Sequence, residues 1–144
     1  LTFVIKETIN YIRQRSSEHI KYKIDIPNKN IEIPFNPQLI SWTIENLIKN
    51  AIDAMKGKGT LVIQLIEKEK EVQLLFIDTG CGMKKDVAYK VFKPGFTTKK
   101  RGWGLGLSLA KRIIVDFHQG KINILKTTLG KGTSFQVILN KVPL

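Results

Sequence analysis

Two stretches in which apolar and polar residues alternate, joined by a short charged turn, constrain the fold more than any other feature. They are TLVIQLIEK (60–68) and EVQLLFID (71–78), with Lys68, Glu69 and Lys70 at the turn. Alternation with period two is typical of strands that bury one face, and a short polar turn joins such strands. The chain ends with two more strand patterns, KINILKT (121–127) and GTSFQVIL (132–139).

Elsewhere, apolar residues recur at helical spacing. Phe3, Ile5 and Ile9 predict a first helix over residues 2–15,. Asn36-Pro37 is a strong helix start, because Asn caps a helix and Pro suits its first turn,. We further expect a strand at 20–26, a short extended piece at 31–33, a helix from 36 to about 55, an irregular stretch at 83–103 and a helix from about 104 to 118. This order predicts a two-layer α/β sandwich with one mixed, mostly antiparallel sheet and helices on one face.

Composition narrows the class of protein. The 144 residues fit one domain, and 42% hydrophobic with 25% charged residues is the balance of a soluble globular chain,. No apolar run approaches the ~20 residues that span a bilayer, and no signal segment is recognisable. Cys81 is the single cysteine, so an internal disulfide is excluded, which fits a reducing compartment,. The net charge of +12 favours a polyanionic partner, with a solvated basic surface as the alternative,.

The long helix carries a polar stripe. Asn46, Asn50 and Asp53 lie at i, i+4 and i+7, so they share one face,. Amide oxygens are hard ligands of the kind that Mg²⁺ accepts, and Mg²⁺ takes few protein ligands. The alternative is a polar face turned to solvent.

A second motif, DTGCGM (78–83), follows directly on a predicted strand. The two glycines, Gly80 and Gly82, allow a tight turn with close backbone approach. A carboxylate at Asp78 can accept a hydrogen bond from an exocyclic amine, which is one way to recognise adenine. Alone, the motif is also a common turn.

A third motif, VFKPGFTTKK (91–100), leads into the glycine-rich run GWGLGLSLAKRII (102–114). Phe92 and Phe96 can anchor a loop. Thr97, Thr98 and Lys99 are residue types that bind phosphate,. Gly104 and Gly106 place backbone N–H groups at a helix N-terminus, where an anion is favoured,. The glycines therefore predict that the backbone here approaches a phosphate chain closely and binds it.

Taken together, ENLIKNAIDAM (45–55), DTGCGM, VFKPGFTTK and GWGLGLSLAKRII resemble the N box, first glycine box, F box and second glycine box of sensor histidine kinases. The resemblance covers about Lys6 to Leu139. It implies the Bergerat-type ATP-binding fold of the superfamily that also holds gyrase, heat-shock chaperone and mismatch-repair ATPases, with ATP and Mg²⁺ as cofactors.

The resemblance also implies roles for individual residues. Asn50 becomes the Mg²⁺ ligand, Asn46 lies near the phosphates with a catalytic role, and Asp78 binds adenine in a pocket shaped by Gly80 and Gly82. Residues 83–103 become a mobile ATP lid, in which Lys99 approaches the terminal phosphates as a second catalytic residue. The other nucleotide-binding residues are Asp53, Met83, Phe92, Thr97, Thr98, Gly102, Gly104, Leu105, Gly106 and Leu107.

The function so implied is transfer of the γ-phosphate of ATP to a histidine on a separate dimerisation and phosphoacceptor domain, expected upstream. That domain and a downstream response regulator are the expected partners. We expect a cytoplasmic location, a homodimeric parent that can be membrane-anchored, and a monomeric fragment with little autophosphorylation. We expect no contact with nucleic acid or membrane. Related hydrolases carry a water-activating Glu where this chain has Asn46, which favours transfer over hydrolysis.

Some residues depart from the family pattern, and two other functions compete. Trp103 replaces a small residue and Gly95 a bulky one. His19 and His118 are expected to be structural or surface residues, and Cys81 a small filler of its turn. A module that holds nucleotide without transferring phosphate is one alternative. A nucleic-acid binder is the other, although the sequence lacks the interleaved aromatic and basic residues of single-strand binders.

Overall fold

The computed structural model describes residues 1–96 and 106–142 and contains one five-stranded sheet with helices packed on one face. In chain order the elements are α1 (Thr2–Arg15), β1 (Ile20–Asp25), α2 (Pro37–Ala54), β2 (Gly59–Glu67), β3 (Glu71–Asp78), α3 (Lys85–Lys90), α4 (Gly106–Arg112), β4 (Lys121–Thr128) and β5 (Gly132–Asn140). Helix α4 continues into a π-helical turn at Ile113–Phe117. The predicted two-layer sandwich is confirmed.

The sheet has the strand order β1-β2-β3-β5-β4. β1 pairs with β2 in parallel, and the other pairs are antiparallel, so the sheet is mixed and mostly antiparallel as predicted. The alternating residues of β2, β3 and β5 bury one face, which includes Leu61, Ile63 and Phe76. Ile44, Leu47 and Ile48 of α2 are buried in the same core. Each such side chain contributes roughly 1.5–3 kcal/mol by leaving water.

Helix α2 begins where its capping residues predict. The Asn36 side chain accepts a hydrogen bond from the backbone N–H of Leu39 at 3.0 Å, and Pro37 occupies the first turn. The helix ends at Ala54, before Lys56 and Gly57, which both adopt positive φ. This helix crosses the sheet and carries the polar stripe.

The two outermost strands of the described sheet carry lysines along their length. β1 contributes Lys21 and Lys23, and β4 contributes Lys121 and Lys126, all exposed. In β4, the register with β5 shifts between Ile124 and Lys126. Leu125 is therefore an extra, bulged residue, and it is exposed.

The structure differs from the sequence prediction at two places. The stretch predicted as irregular contains α3, whose six residues carry Asp86 in the first turn and Lys90 in the last, as the helix dipole favours,. The C-terminal helix closes with a π turn rather than a regular end. Residues 31–33, predicted as a short extended piece, form neither a helix nor a strand of the sheet, and Ile31 bonds through its backbone to Leu1 and Thr2 at the start of α1.

Candidate functional site

The polar stripe of α2 faces two different environments. Asn46 and Asn50 are half-buried, whereas Asp53 is exposed. The Nδ2 atom of Asn46 is buried and has no hydrogen-bond partner among the described residues. A buried donor left in this state costs about 1–3 kcal/mol, so such an atom is typical of a group that serves a ligand.

The first residue of α4 lies directly against Asn46. A Cβ atom at Gly106 would be 2.7 Å from Oδ1 and 3.0 Å from Nδ2 of Asn46. Any larger residue would therefore push the amide of Asn46 aside. Gly106 comes this close to the stripe only because it has no side chain.

Asp78 ends β3 and is only 5% exposed. Its Oδ1 atom accepts the backbone N–H of Gly80 at 2.8 Å and that of Thr133 at 3.2 Å. Oδ2 receives no hydrogen bond from the described residues, so it keeps its full capacity to accept one from a ligand. Burial raises the pKa of the Asp78 carboxyl above its ordinary value of 3.8, against the two backbone hydrogen bonds, which lower it.

The DTGCGM turn is fixed to the end of α2. The N–H of Cys81 donates to the carbonyl of Ala54 at 3.0 Å. A Cβ atom at Gly80 would lie 2.7 Å from the backbone of Ala54, so glycine is required for this close approach. Cys81 itself is exposed, which corrects its interpretation as a filler of the turn.

Two threonines that the sequence analysis did not single out lie beside this turn. Thr127 of β4 and Thr133 of β5 are cross-strand partners, with their hydroxyl oxygens 2.9 Å apart. Thr127 Oγ1 accepts the N–H of Met83 at 2.9 Å. Their signal in the sequence is slight: each lies next to the glycine-containing turn that joins β4 and β5.

The described part of the predicted lid is anchored through Phe92. Its ring meets Phe135 of β5 edge to face, with centroids 6.2 Å apart, and Lys111 Nζ lies 5.9 Å from its centroid. Met83 and Leu107 are half-buried and pack against the core. The other predicted positions, Thr97, Thr98, Lys99, Gly102, Trp103, Gly104 and Leu105, lie outside the described residues.

Helix α2 is the common support of these features. Ala54 contacts Gly80 at one end, and Asn46 contacts Gly106 two turns earlier, roughly 12 Å along the axis,. Asn50 lies between them and offers an amide oxygen, the kind of ligand that Mg²⁺ accepts. Across residues 1–96 and 106–142, no three His, Cys, Asp or Glu side chains form a cluster that could hold a metal ion.

The histidines take no part in this site. His118 Nε2 accepts the N–H of Asn36 at 3.0 Å, and Nδ1 lies 2.8 Å from the carbonyl of Ile113. The ring of His118 thus links the π turn at the end of α4 to Asn36, the N-cap residue of α2. His19 is exposed in the loop before β1. No helix among the described residues is long and apolar enough to cross a membrane.

Comparisons with known proteins agree with this architecture. Residues 36–143 match the model of the histidine kinase-, DNA gyrase B- and HSP90-like ATPase family. The chain is 31% identical to the signal transduction histidine-protein kinase AtoS of Escherichia coli over 96% of its length, and 30% identical to sporulation kinase E of Bacillus subtilis over 96%. It spans 23% and 19% of those two proteins.

Solved structures give the same result. The catalytic domain of histidine kinase ThkA, in a nucleotide-free form, superposes with a TM-score of 0.84 at 28% identity, covering 99% of this chain and 93% of that one. ThkA in complex with response regulator protein TrrA superposes with a TM-score of 0.82 at 25% identity, covering 98% of this chain and 40% of that one. With the family model matched over most of its length, the chain belongs to the histidine kinase-, DNA gyrase B- and HSP90-like ATPase family.

Proposed function

We propose that this chain is the ATP-binding catalytic domain of a two-component sensor histidine kinase, and that it transfers the γ-phosphate of ATP to a histidine on a separate domain. The observation that carries the proposal is the buried Asn46 Nδ2, which lies against Gly106 at one end of the proposed nucleotide site, with the buried Asp78 at the other end. The two ends offer different chemistry, a carboxylate oxygen and a buried amide donor, as a purine nucleotide requires.

The residues present fit ATP and Mg²⁺. Asp78 Oδ2 has the capacity to accept the adenine amine, while its Oδ1 is held by Gly80 and Thr133. Asn46 Nδ2 is a buried donor suited to a phosphate oxygen. The amide oxygen of Asn50 is suited to the metal ion. When bound, Mg²⁺ would neutralise charge on the phosphates, and phosphoryl transfer would then depend chiefly on positioning.

Transfer to a protein histidine is favoured over hydrolysis by the environment of Glu45. This carboxylate is next to Asn46 in the sequence, about 100° around the helix from it. Its Oε1 lies 2.8 Å from Lys49 Nζ in an i,i+4 ion pair on the outer side of α2. Glu45 is therefore paired with Lys49 outside the proposed site, and the amide of Asn46 cannot accept a proton from water as a carboxylate would.

The phosphate end of the pocket is completed, in this proposal, by Lys99 and the backbone of Gly104 and Gly106. The acceptor is a histidine of the dimerisation domain of the parent kinase, and the response regulator receives the phosphoryl group afterwards. The ThkA–TrrA complex is a precedent for contact between such a kinase and a response regulator.

The test uses this chain and the dimerisation domain of its parent as separate proteins. With radiolabelled ATP and Mg²⁺, we expect negligible labelling of the chain alone and labelling of the added domain on histidine, giving an acid-labile, base-stable product. ATP binding without transfer would leave a nucleotide-holding module, and salt-sensitive binding to DNA or RNA without ATP binding would leave a nucleic-acid binder. Either outcome refutes the proposal.

A further inference from the structure

We infer that Thr127 is a positioning residue. Its hydroxyl joins Met83, at the start of the lid segment, to Thr133 of β5, whose backbone N–H donates to the Asp78 carboxylate. Recognition of the base and the placement of the lid segment are thereby coupled. This inference deepens the proposed function and rests on it for the role of Asp78.

The bulge in β4 is what places Thr127 at the site. Ile124 pairs with Phe135 on the buried face, and regular alternation would next turn Lys126 to that face. Leu125 is the extra residue, so Lys126 pairs with Ser134 and Thr127 pairs with Thr133. A bulge re-aims the side chains that follow it, and here it exchanges a lysine for a threonine at the inner position.

The hydroxyl of Thr127 joins three parts of the site. It accepts the N–H of Met83 at 2.9 Å and lies 2.9 Å from the hydroxyl of Thr133. Thr133 in turn donates its own N–H to Asp78 Oδ1 at 3.2 Å. Three hydrogen bonds therefore connect Met83, the first lid residue, to the buried Asp78 carboxylate, by way of Thr127 and Thr133.

The count of donors and acceptors shows that Thr127 can bond to Met83 and Thr133 at the same time. A hydroxyl has one hydrogen to donate and two lone pairs to accept with. Thr127 accepts from Met83, and it either donates to Thr133 or accepts from it and donates to the carbonyl of Gly132 at 3.4 Å. In both arrangements the bond to Met83 persists, so the hydroxyl holds the lid segment whichever way the pair is oriented.

The turn that precedes Met83 is packed closely against the β4–β5 hairpin. Gly82 lies so close to the carbonyl of Thr128 that a Cβ atom there would overlap it. The N–H of Gly130 bonds to the carbonyl of Cys81. The turn therefore rests on the β4–β5 hairpin just before the chain leaves toward α3, and Thr127 fixes the last residue of that contact.

The experiment compares Thr127→Val, which removes the hydroxyl at equal size, with Thr127→Ser, which restores it. Thr128→Val is the matched control, because the Thr128 hydroxyl makes no hydrogen bond among the described residues. The readouts are amide exchange of Met83 by NMR without nucleotide, and the ratio of ATP to GTP dissociation constants with Mg²⁺ by calorimetry. Thr127→Ala is measured in parallel in case Thr127→Val does not fold.

We expect Thr127→Val to speed Met83 exchange about tenfold or more, the scale of one lost hydrogen bond, and to lower the preference for ATP over GTP several-fold. Thr127→Ser and Thr128→Val are expected to match the unaltered chain in both. Unchanged Met83 exchange, or an unchanged preference for ATP in a folded Thr127→Val or Thr127→Ala variant, would overturn the inference. Failure of the unaltered chain to bind ATP would instead refute the proposed function, while Met83 exchange would still report on the hydroxyl bond.

Discussion

Replacing Asp78 by Asn separates binding from stability at the proposed adenine end of the pocket. Asn keeps the Oδ1 acceptor for Gly80 and Thr133 but replaces Oδ2 by an NH₂ group. The adenine amine, a hydrogen-bond donor, then faces the NH₂ group of Asn, which is also a donor, in place of a carboxylate oxygen. Loss of one charge-assisted hydrogen bond costs about 1.5–3 kcal/mol, so we expect ATP affinity to fall about ten- to hundredfold.

The same substitution is expected to act in the opposite direction on the nucleotide-free protein. Burial raises the pKa of Asp78 in the folded state, so the folded state holds the proton more tightly than the unfolded state. The stability of the folded state then falls as the pH rises from about 3.8 through the raised pKa,. Above the raised pKa, the buried ionised carboxylate keeps the folded state less stable. Asn has no such titration. The variant should unfold at a higher temperature than the unaltered chain at pH 7, and this gain should vanish below pH 3.8.

Two measurements check this reasoning. Calorimetry gives the ATP dissociation constant, and thermal unfolding without nucleotide from pH 3 to 8 gives the change in stability. Asp25→Asn is the control, because it removes the same charge from an exposed residue of β1. Unchanged ATP affinity of Asp78→Asn would refute Asp78 as the adenine ligand. A lower melting temperature at pH 7 would show that the hydrogen bonds to the charged carboxylate outweigh its burial.

Three further changes test other parts of the molecule. Asn50→Ala should abolish Mg²⁺-dependent nucleotide binding or transfer in a protein whose circular dichroism is unchanged; wild-type transfer would remove Asn50 as the metal ligand. Gly106→Ala should lower ATP affinity about tenfold by displacing the Asn46 amide, with little change in melting temperature, and unchanged affinity would contradict the contact,. Asn36→Ala should lower the unfolding free energy by about 1 kcal/mol in urea, since Leu39 loses its cap; an unchanged midpoint would count against it,.

The fold was largely predictable because its main signals are local. The cap at Asn36 and the alternation in β2 and β3 depend only on neighbouring residues, and the structure has both where the patterns indicate. Helix α3 was missed because six residues are too few to display a helical period,. The bulge left a faint local trace: Ile124 and Leu125 are adjacent apolar residues, which breaks the alternation of β4.

The candidate site was predictable only in part. Asp78, Asn46 and Asn50 were predicted from their spacing and chemistry, their individual roles from the resemblance to a family, and the structure adds how these residues are supported. The burial of Asn46 Nδ2 depends on the approach of α4, which is far away in the sequence. Thr127 and Thr133 meet through strand pairing across a turn, and their contacts with Met83 and Asp78 span 44 and 55 residues of sequence. Such contacts follow from the assembled sheet and have no local pattern.

Part of the chain's net positive charge lies on lysines of the two outer strands, where it has a role that does not involve a polyanionic partner. An open sheet presents unpaired backbone groups at its edges, and these can recruit a strand from another molecule. Lys21 and Lys23 on one edge and Lys121 and Lys126 on the other place like charges where two copies would meet edge to edge. The bulge at Leu125 also distorts the second edge. The positive charge of the two outer strands therefore opposes fibril-like self-association along the sides of the sheet.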